Sequence, residues 1–589
     1  MFSAGEFPGP RGFGTLSAVT PLAAALLAFT AYLLAYRFYA RFLAQRIFAL
    51  DPARPTPAQT LEDGVDYVPT APSILFSHHF ASITGLAPML GPAVAVIWGW
   101  LPALCWVVLG AIFIGCVHDM AALVVSLRTR GLSVGEVAGD VLGPKARTLM
   151  HLVIFFGVAL AMGVFVYVLA RLFSVELAPG HPGYPQAVFP SVGLLVLSVG
   201  AGLVLRRRPG ALAAVAVVGL CLELLLIAVG KDHPTLGLPP AAWPGPSTWT
   251  LALLAYAFAA SVLPVWALLQ PRDFLNALLL YLGLGLAYAG LFAGDHRFAA
   301  PAVRLSPPGA PPLVPFMLIV VACGAASGFH GLVASGTTAK QMARETHARP
   351  VGYGAMIGES LLGLLATLAC TAGVASPQVW HEAYADWGRV QALPRKIDAF
   401  IQGTTTFLGS LGLPADAAAA LVAMVVVSFA LTTLDSATRL LRFNIEEIGA
   451  SFGVRWTKRR PLSALAACGV IALFAFYEVD VTVGDAVVRR PAGLALWQLF
   501  GTTNQLLAGL TLLVVTVYLR ARGRPTAPVA IPAVVMLAST LAAMVTNLLR
   551  MRDPLLLAVG GVLLLLGLGV VGLGLSTLRR PSRPEAAEW

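Results

Sequence analysis

The chain has 589 residues, of which 58% are hydrophobic and 11% are charged, and its formal net charge is +11. A soluble globular domain carries about 25% charged residues, so this composition excludes a soluble protein. The basic residues lie in short segments between apolar runs and not on one domain, which argues against a nucleic-acid partner. The six cysteines are scattered singly, so neither a disulfide framework nor a zinc ribbon is indicated.

Apolar runs long enough to cross a roughly 30 Å hydrocarbon core recur along the whole chain. They predict an all-α, polytopic membrane protein with about 15 transmembrane helices, and we read the first run as a retained span and not as a signal peptide. The predicted spans are 16–36, 74–99, 101–127, 148–173, 188–205, 211–230, 249–270, 274–294, 312–337, 351–375, 416–434, 460–478, 491–519, 527–549 and 554–577.

The basic clusters favour one orientation of these spans. With the N-terminus outside and the C-terminus in the cytoplasm, Arg206–Arg208 and the basic run 455–460 both fall inside. Cytoplasmic loops carry the excess of Lys and Arg in membrane proteins. We therefore expect a multi-pass protein of the cell inner membrane with this orientation.

Three predicted spans contain glycines or prolines that interrupt a helix. Because proline removes a backbone donor and clashes with the preceding turn, each run predicts a break. Freed backbone groups at such breaks coordinate ions and solutes in transporters. The runs are 77–92 in span 2, 261–266 in span 7, and 323–330 continuing to 338 in span 9.

Spans 2 and 7 have opposite predicted orientations and lie five spans apart. This spacing predicts two inverted five-helix repeats of the leucine-transporter type, covering residues 74–230 and 249–434, with the solute between spans 2 and 7 and with span 9 as the eighth core helix. Residues 1–73 would hold one N-terminal helix and a cytoplasmic loop. Residues 435–459 would form a basic cytoplasmic connector, and 460–589 about four C-terminal helices.

Candidate residues for the substrate or ion pathway lie in the interrupted runs. Histidine titrates near neutral pH and is costly in lipid without a partner. Adjacent helical residues point about 100° apart, so the paired histidines cannot easily face one ligand. The alternatives are a histidine that only caps or packs, and hydroxyls that bond back to their own helix. The candidates are His78, His79, Thr84, Gly85, Pro88, Gly91, Pro264, Ser327, Gly328, His330, Ser335, Thr337 and Thr338.

Acidic residues within predicted spans are candidates for proton coupling, because an ionised carboxylate facing lipid is expensive. They are Asp119, Glu359 and Glu223, and Asp119 has the alternative of pairing with Arg128.

Further charged and polar residues lie near helix ends. The inner-gate candidates are Arg272, Asp273, Asp435 and Arg439, although a local i,i+4 pair between the last two is the simpler account. The polar residues of span 13, Thr503, Asn504 and Gln505, predict either contacts between helices or part of a pathway.

With these residues in view, the sequence resembles the carbon starvation (CstA) family. Ala339 and Ser77 depart from the family pattern, in which proline and glycine are expected. The matching runs are 61–70, 77–80, 270–273, 324–330, 335–340, 432–439 and 499–505.

The resemblance implies an inner-membrane transporter of the amino acid-polyamine-organocation superfamily, linked to nutrient scavenging. It implies import of peptides, or of a small carboxylate such as pyruvate, during carbon starvation, driven by H+ or by Na+. It does not separate these substrates. We expect a small-molecule substrate, a surrounding lipid bilayer and no resident cofactor, and the sequence leaves the oligomeric state open.

Two other classes of function compete with transport. A membrane-embedded, metal-dependent hydrolase is disfavoured because the chain has no HExxH motif. The spacing of His78, His79, His330 and Asp119 has no zinc signature either, so we expect no metal. A nutrient sensor would need a cytoplasmic output module, and no predicted soluble segment is long enough to form one.

Overall fold

The computed structural model describes residues 19–178, 180–483, 486–491, 497–551 and 553–579. Residues 16–18 of the first predicted span, 492–496 of the thirteenth, and the predicted terminal regions 1–18 and 580–589 lie outside these described residues. Among the described residues, the regular elements are helices apart from two antiparallel hairpins, so the predicted all-α class is confirmed. The hairpins pair β1 (Glu176–Ala178) with β2 (His181–Pro182), and β3 (Glu478–Val483) with β4 (Ala486–Pro491).

Eighteen helices are used below, and they are numbered in chain order. They are α1 (Pro21–Ile47), α2 (Pro72–Ile83), α3 (Ala87–Trp98), α4 (Trp100–Arg128), α5 (Pro144–Phe173), α6 (Val188–Arg207), α7 (Leu212–Asp232), α8 (Pro246–Val262), α9 (Leu269–Ala293), α10 (Leu313–Val320), α11 (328–341), α12 (Glu345–Ala372), α13 (Leu393–Gly409), α14 (Ala415–Ser451), α15 (Arg460–Phe476), α16 (Trp497–Ala521), α17 (Ala527–Arg550) and α18 (Pro554–Arg579). Shorter helices are Pro57–Thr60, Val134–Leu142, Pro377–Ala383 and Trp387–Gln391.

Among the described residues, eleven helices are long and apolar enough to cross a membrane, or up to twelve if the bent pair α2 and α3 forms one span. The helices α8 and α15 are apolar but shorter. The predicted count of 15 is therefore not confirmed, although each predicted span has a helical counterpart. Aliphatic side chains of the outer helices, such as Leu33, Val196, Leu549 and Leu565, are strongly exposed, as a lipid-facing surface requires.

Two helices are broken, and they run in opposite directions. The first broken helix consists of α2 and α3, and the second consists of α10 and α11. At one face of the protein, the segment entering α2 pairs with the segment leaving α11: the Thr70 N–H donates to the Gln341 carbonyl at 3.0 Å, and the Val68 N–H to the Lys340 carbonyl at 3.2 Å. The start of one broken helix therefore meets the end of the other, so the two are antiparallel.

The packing of the remaining helices repeats around this pair. Helix α9 packs against α2 in the first broken helix, and α16 packs against α11 in the second. Helices α4 and α12 pack against each other, and each also contacts the broken helix of the other half. The long helices α5 and α14 pack together, and both contact α8 and α15. Two inverted five-helix repeats follow, α2/α3–α4–α5–α8–α9 and α10/α11–α12–α14–α15–α16, which confirms the predicted leucine-transporter-like class.

The predicted membership of the repeats is wrong. The hairpin α6–α7 lies outside the first repeat and packs on α9 and α14, so the repeat does not end at residue 230. The second repeat opens at α10, since the run 261–266 separates two complete helices, α8 and α9, and does not break one. Spans 2 and 7 therefore do not form the pair of broken helices, and the eighth core helix is α14, not span 9.

The predicted connector 435–459 is also wrong for most of its length. Helix α14 continues through Ser451, and Asp435, Arg439 and Arg442 on it are buried. Their charges suggested a solvent-exposed segment. The structure instead surrounds them with charged or polar partners from distant parts of the chain, which makes burial tolerable.

Candidate functional site

The first break lies at residues 84–86, between α2 and α3, whose axes are bent by 47°. Thr84 has an extended backbone, and Pro88 occupies the first turn of α3, where a missing N–H costs little. The buried Thr84 hydroxyl has no hydrogen-bond partner in the described part of the chain. This is the polar, non-helical backbone that the run 77–92 predicts.

The first break faces α14. A Cβ added to Gly85 would lie 2.7 Å from Thr433 Oγ1, and the Thr433 hydroxyl is also buried, with no hydrogen-bond partner among the residues that the structure describes. One turn away on each helix, Ser82 Oγ and Ser436 Oγ are 2.9 Å apart. Hydroxyl oxygens and backbone groups from α2, the break and α14 therefore converge on one buried region.

The second break covers residues 321–327, and α16 caps the helix that follows it. Asn504 Oδ1 accepts a hydrogen bond from the Phe329 N–H at 2.9 Å, and the Asn504 side chain also bonds the Ser327 hydroxyl. Gln505 Nε2 donates to the Leu318 carbonyl at 2.9 Å. The predicted polar group on span 13 thus stabilises the freed backbone of the second broken helix, whereas Thr503 bonds back to its own helix.

The two broken helices come close together at Gly91. A Cβ at this position would lie 2.6 Å from the Val320 carbonyl oxygen and 3.3 Å from the Val321 Cα. Only glycine permits this approach of α3 to the end of α10. Gly91 therefore sets the distance between the two broken helices.

The paired histidines of α2 have different partners. His78 Nδ1 lies 2.5 Å from Asp273 Oδ2 on α9, and Ser82 donates to the same carboxylate oxygen at 3.4 Å. His79 Nδ1 lies 2.8 Å from the Thr338 hydroxyl on α11. All these groups are buried, so α2 is joined through polar side chains to both α9 and α11.

A glutamine pair extends this network towards the face where the broken helices meet. Gln341 Nε2 lies 3.2 Å from His78 Nε2, and Gln270 Nε2 donates to Gln341 Oε1 at 2.7 Å. Gln270 also donates to the Thr70 hydroxyl at 2.9 Å. Gln270 belongs to the matched run 270–273. Gln341 was not among the predicted site residues, although it follows directly after the matched run 335–340.

The other two candidate hydroxyls of α11 donate hydrogen bonds to backbone carbonyls of the same helix. Ser335 donates to the Gly331 carbonyl and Thr337 to the Val333 carbonyl, in the back-bonding pattern named above as the alternative. Of the three candidate hydroxyls on this helix, Thr338 alone contacts a candidate histidine.

A second cluster lies between α4, α11 and α12. His330 Nδ1 is 3.0 Å from Asp119 Oδ2, and His330 Nε2 is 3.1 Å from Glu359 Oε2. The other oxygen of Asp119 lies 2.8 Å from His118 Nδ1. The structure therefore places two of the predicted proton-coupling acids on either side of one predicted histidine. His118 was missed, although it directly precedes Asp119.

The third acid, Glu223, lies elsewhere. It is buried on α7 of the inserted hairpin, and neither carboxylate oxygen has a hydrogen-bond partner among the described residues. Pro264 is also outside the central region, in the turn between α8 and α9, where the next residue, Val265, donates its N–H to the Val65 carbonyl at 3.1 Å. The prediction that Pro264 breaks a span is wrong, because proline is equally suited to a turn between helices.

The gate candidates form ion pairs with distant partners. Asp435 contacts Arg272 of α9 and the Tyr256 hydroxyl of α8, and Arg439 contacts Asp66 at 2.8 Å. The local pair between Asp435 and Arg439 is therefore wrong. Both residues are buried against other parts of the chain, and their ion-pair partners come from there. The spacing of residues along α14 does not reveal these partners.

Asp66 belongs to the matched run 61–70, whose turn is held by Asp63. The Asp63 carboxylate accepts the N–H groups of Val65, Asp66 and Tyr67. Partial burial raises the pKa of Asp63, but these hydrogen bonds and the positive charge of Arg460 outweigh it, so the pKa lies below its ordinary value. The turn therefore presents Asp66 to Arg439 in a fixed position.

Antiparallel broken helices with buried polar groups at both breaks are typical of a multi-pass membrane transporter. The carbon starvation protein CstA family matches residues 20–383 and 372–543. The chain belongs to this family, which confirms the resemblance found in the sequence.

Some similar proteins are named peptide transporters, and one is named a pyruvate/proton symporter. The peptide transporter CstA of Mycobacterium tuberculosis is 33% identical over 554 residues, covering 84% of this chain and 70% of the relative. The pyruvate/proton symporter BtsT of Escherichia coli is 32% identical over 559 residues, covering 83% and 76%. The peptide transporter CstA of Bacillus subtilis is 32% identical over 518 residues, covering 82% of each chain.

Similar solved structures include MhsT in complex with L-phenylalanine, with 12% identity, a TM-score of 0.44 and coverage of 87% of this chain and 98% of that chain. A manganese transporter of Eremococcus coleocola has 12% identity and a TM-score of 0.42, covering 88% and 98%.

Proposed function

We propose that this protein is a proton-coupled secondary transporter that imports peptides or a small carboxylate such as pyruvate during carbon starvation. The observation that carries the proposal is the antiparallel pair of broken helices. At the first break the buried hydroxyls of Thr84 and Thr433 have no hydrogen-bond partner among the described residues. Unpaired polar groups are costly in a buried site. A solute or ion that bonds to them would remove this cost.

An anionic solute suits the first break. Helix α3 begins directly after it, and the N-terminus of a helix carries partial positive charge. A carboxylate is common to pyruvate and to the C-terminus of a peptide, and relatives are named for both substrates. The partial positive charge at the proposed binding region is therefore suited to the group that both substrate classes share.

The coupling proton is assigned to His78 and Asp273. Their 2.5 Å contact is buried, and it connects the first half of a broken helix to α9. Loss of the shared proton would leave a buried carboxylate beside a neutral ring, which favours a rearrangement of α2 against α9.

The orientation proposed is the one expected from the loops, in the inner membrane. Arginines gather at the face where the broken helices meet: Arg54 and Arg128 both contact Glu345, at 3.4 and 2.6 Å, and Arg460 lies 3.5 Å from Asp66. A concentration of basic residues favours the cytoplasmic side. This supports a cytoplasmic location for the entry to α2 and the exit of α11.

Uptake into proteoliposomes tests the function. Full-length protein is reconstituted, and accumulation of labelled pyruvate and of a labelled dipeptide is measured with an inward proton gradient, with an inward sodium gradient and with neither. We expect accumulation of at least one substrate with the proton gradient. Accumulation with sodium alone would reject proton coupling, and no accumulation of either substrate would reject the substrate assignment.

A further inference from the structure

Three metal-ligating side chains meet beside the second break. One ligand atom each of Cys323, His330 and Glu359 lies within 4.8 Å of the other two, and all three residues are buried. Cys323 belongs to the gap between α10 and α11, His330 to α11, and Glu359 to α12. A thiolate, an imidazole and a carboxylate are the three donor types that Zn2+ takes in proteins, and sites with three protein ligands keep a fourth position open.

The orientation of His330 fits metal binding. Asp119 Oδ2 lies 3.0 Å from Nδ1, which fixes the proton on that nitrogen and leaves the lone pair of Nε2 directed elsewhere. A carboxylate behind a ligating histidine is the usual support of such a ligand. Here the support is itself held, because the other oxygen of Asp119 contacts His118 at 2.8 Å.

The contact between His330 and Glu359 also has the required length. Nε2 and Oε2 are 3.1 Å apart but do not have hydrogen-bond geometry, and neither Glu359 oxygen has a hydrogen-bond partner among the described residues. Two ligands bonded to one tetrahedral zinc at about 2.0–2.1 Å would lie roughly 3.3 Å apart. The two atoms are therefore spaced as neighbouring ligands of a single ion.

Charge gives an independent argument. In the described part of the chain, the ion pairs of Asp119 and Glu359 are formed with histidines alone, without Lys or Arg. Buried carboxylates need compensating charge. A divalent cation would balance the Cys323 thiolate and the Glu359 carboxylate.

We propose that Cys323, His330 and Glu359 bind one Zn2+ ion with an open fourth position. This departs from the expectation of no metal, since the ligands come from separate elements and have no recognisable spacing. The ion would tie the gap of the second broken helix to α12. The site is independent of the transported substrate and of the coupling ion proposed above.

Metal analysis of purified full-length protein tests the site. The protein is stripped with a chelator, dialysed against Zn2+ and analysed for metal per chain. The wild type should hold about one zinc, and Cys323→Ser and Glu359→Gln should each weaken zinc affinity at least tenfold. Cys370→Ser is the matched control, because Cys370 is a buried thiol on α12 outside the cluster, and it should retain the zinc.

Cobalt gives a readout in the wild type, which does not depend on the folding of any variant. Co2+ bound to the wild type and to Cys370→Ser should show a thiolate-to-cobalt charge-transfer band, which Cys323→Ser lacks. A wild type that takes up no zinc, or that binds cobalt without this band, overturns the proposal. Undiminished zinc affinity in Cys323→Ser also overturns it, because the ion would then lie elsewhere.

Discussion

His78 Nδ1 and Asp273 Oδ2 lie 2.5 Å apart in the interior, joining the first broken helix to α9. If this pair carries the coupling proton, Asp273→Asn should no longer bind that proton. The variant should still bind and exchange substrate. We expect uptake driven by a pH gradient to fall at least tenfold, while exchange of labelled for unlabelled substrate stays within about threefold of the wild type. Equal loss of both activities would indicate a purely structural role.

The pair formed by Arg272 and Asp435 predicts a large stability effect. Removal of one partner leaves the other charge buried and unpaired, so Asp435→Asn should lower the free energy of unfolding by about 3–5 kcal/mol. The double variant Arg272→Gln/Asp435→Asn should lose less than the sum of the single variants. Thermal and denaturant unfolding in detergent measures the free energy of unfolding of each variant.

Asp416→Asn is the control for that experiment. Asp416 pairs with Lys231 at 3.1 Å on the protein surface, where solvent screens the interaction. Its unfolding midpoint should match the wild type. A similar shift for Asp416→Asn and Asp435→Asn would contradict the assignment of Asp435 to a buried pair.

Gly91 predicts that the approach of the broken helices is intolerant of a single methyl group. In Gly91→Ala the added Cβ would meet the Val320 carbonyl oxygen at 2.6 Å, so either α3 or α10 must shift. Overpacking of this kind costs about 1–3 kcal/mol, and we expect transport to fall several-fold. In Gly285→Ala on α9 the new methyl meets open space. That variant should be as stable as the wild type, and equal loss in both would refute a specific role for Gly91.

Asn504 predicts a capping effect across helices. Asn504→Ala removes the acceptor of the Phe329 N–H and should destabilise the start of α11 by about 0.5–2 kcal/mol. Its neighbour Thr503 donates to the Leu499 carbonyl of its own helix, so Thr503→Ala should have little effect. Hydrogen exchange of the peptide containing residues 328–333 should increase in Asn504→Ala alone.

Lys396 of the helix α13, outside the long apolar helices, predicts a pH dependence. Burial lowers its pKa from 10.5 to about 8, so the folded protein binds fewer protons than the unfolded chain between these values. The contribution of Lys396 to the free energy of unfolding therefore rises with pH between about 8 and 10, and it is constant below about pH 8. The unfolding midpoint of the wild type relative to Lys396→Met should rise over that interval. A difference that is independent of pH would contradict the shift.

Local chemistry predicted much of the site. Prolines and glycines in the runs 77–92 and 323–330 correctly marked two breaks, because their backbone effects are independent of context. The same reasoning was wrong at Pro264, because a proline in a turn between two helices and a proline within a broken helix occur in similar local sequences. The position of the helix end at Val262 distinguishes them, and it is set by packing.

Relationships between distant residues were not predictable in the same way. The partners of Asp435 and Arg439 are separated from them by 163 and 373 positions, whereas spacing along a helix suggests only local pairs. The hairpin α6–α7 has the hydropathy of any other span, so its exclusion from the repeat appears only in its contacts. Cys323 and Glu359 likewise approach each other through the fold alone.

The central claim is that substrate and protons move together through the paired broken helices. The most direct measurement records the internal pH of proteoliposomes with a trapped dye when pyruvate or a dipeptide is added outside, with protein-free vesicles as the control. The account predicts acidification of the interior on addition of a transported substrate with wild-type protein, and none with Asp273→Asn. Substrate entry into wild-type vesicles without any acidification would contradict it.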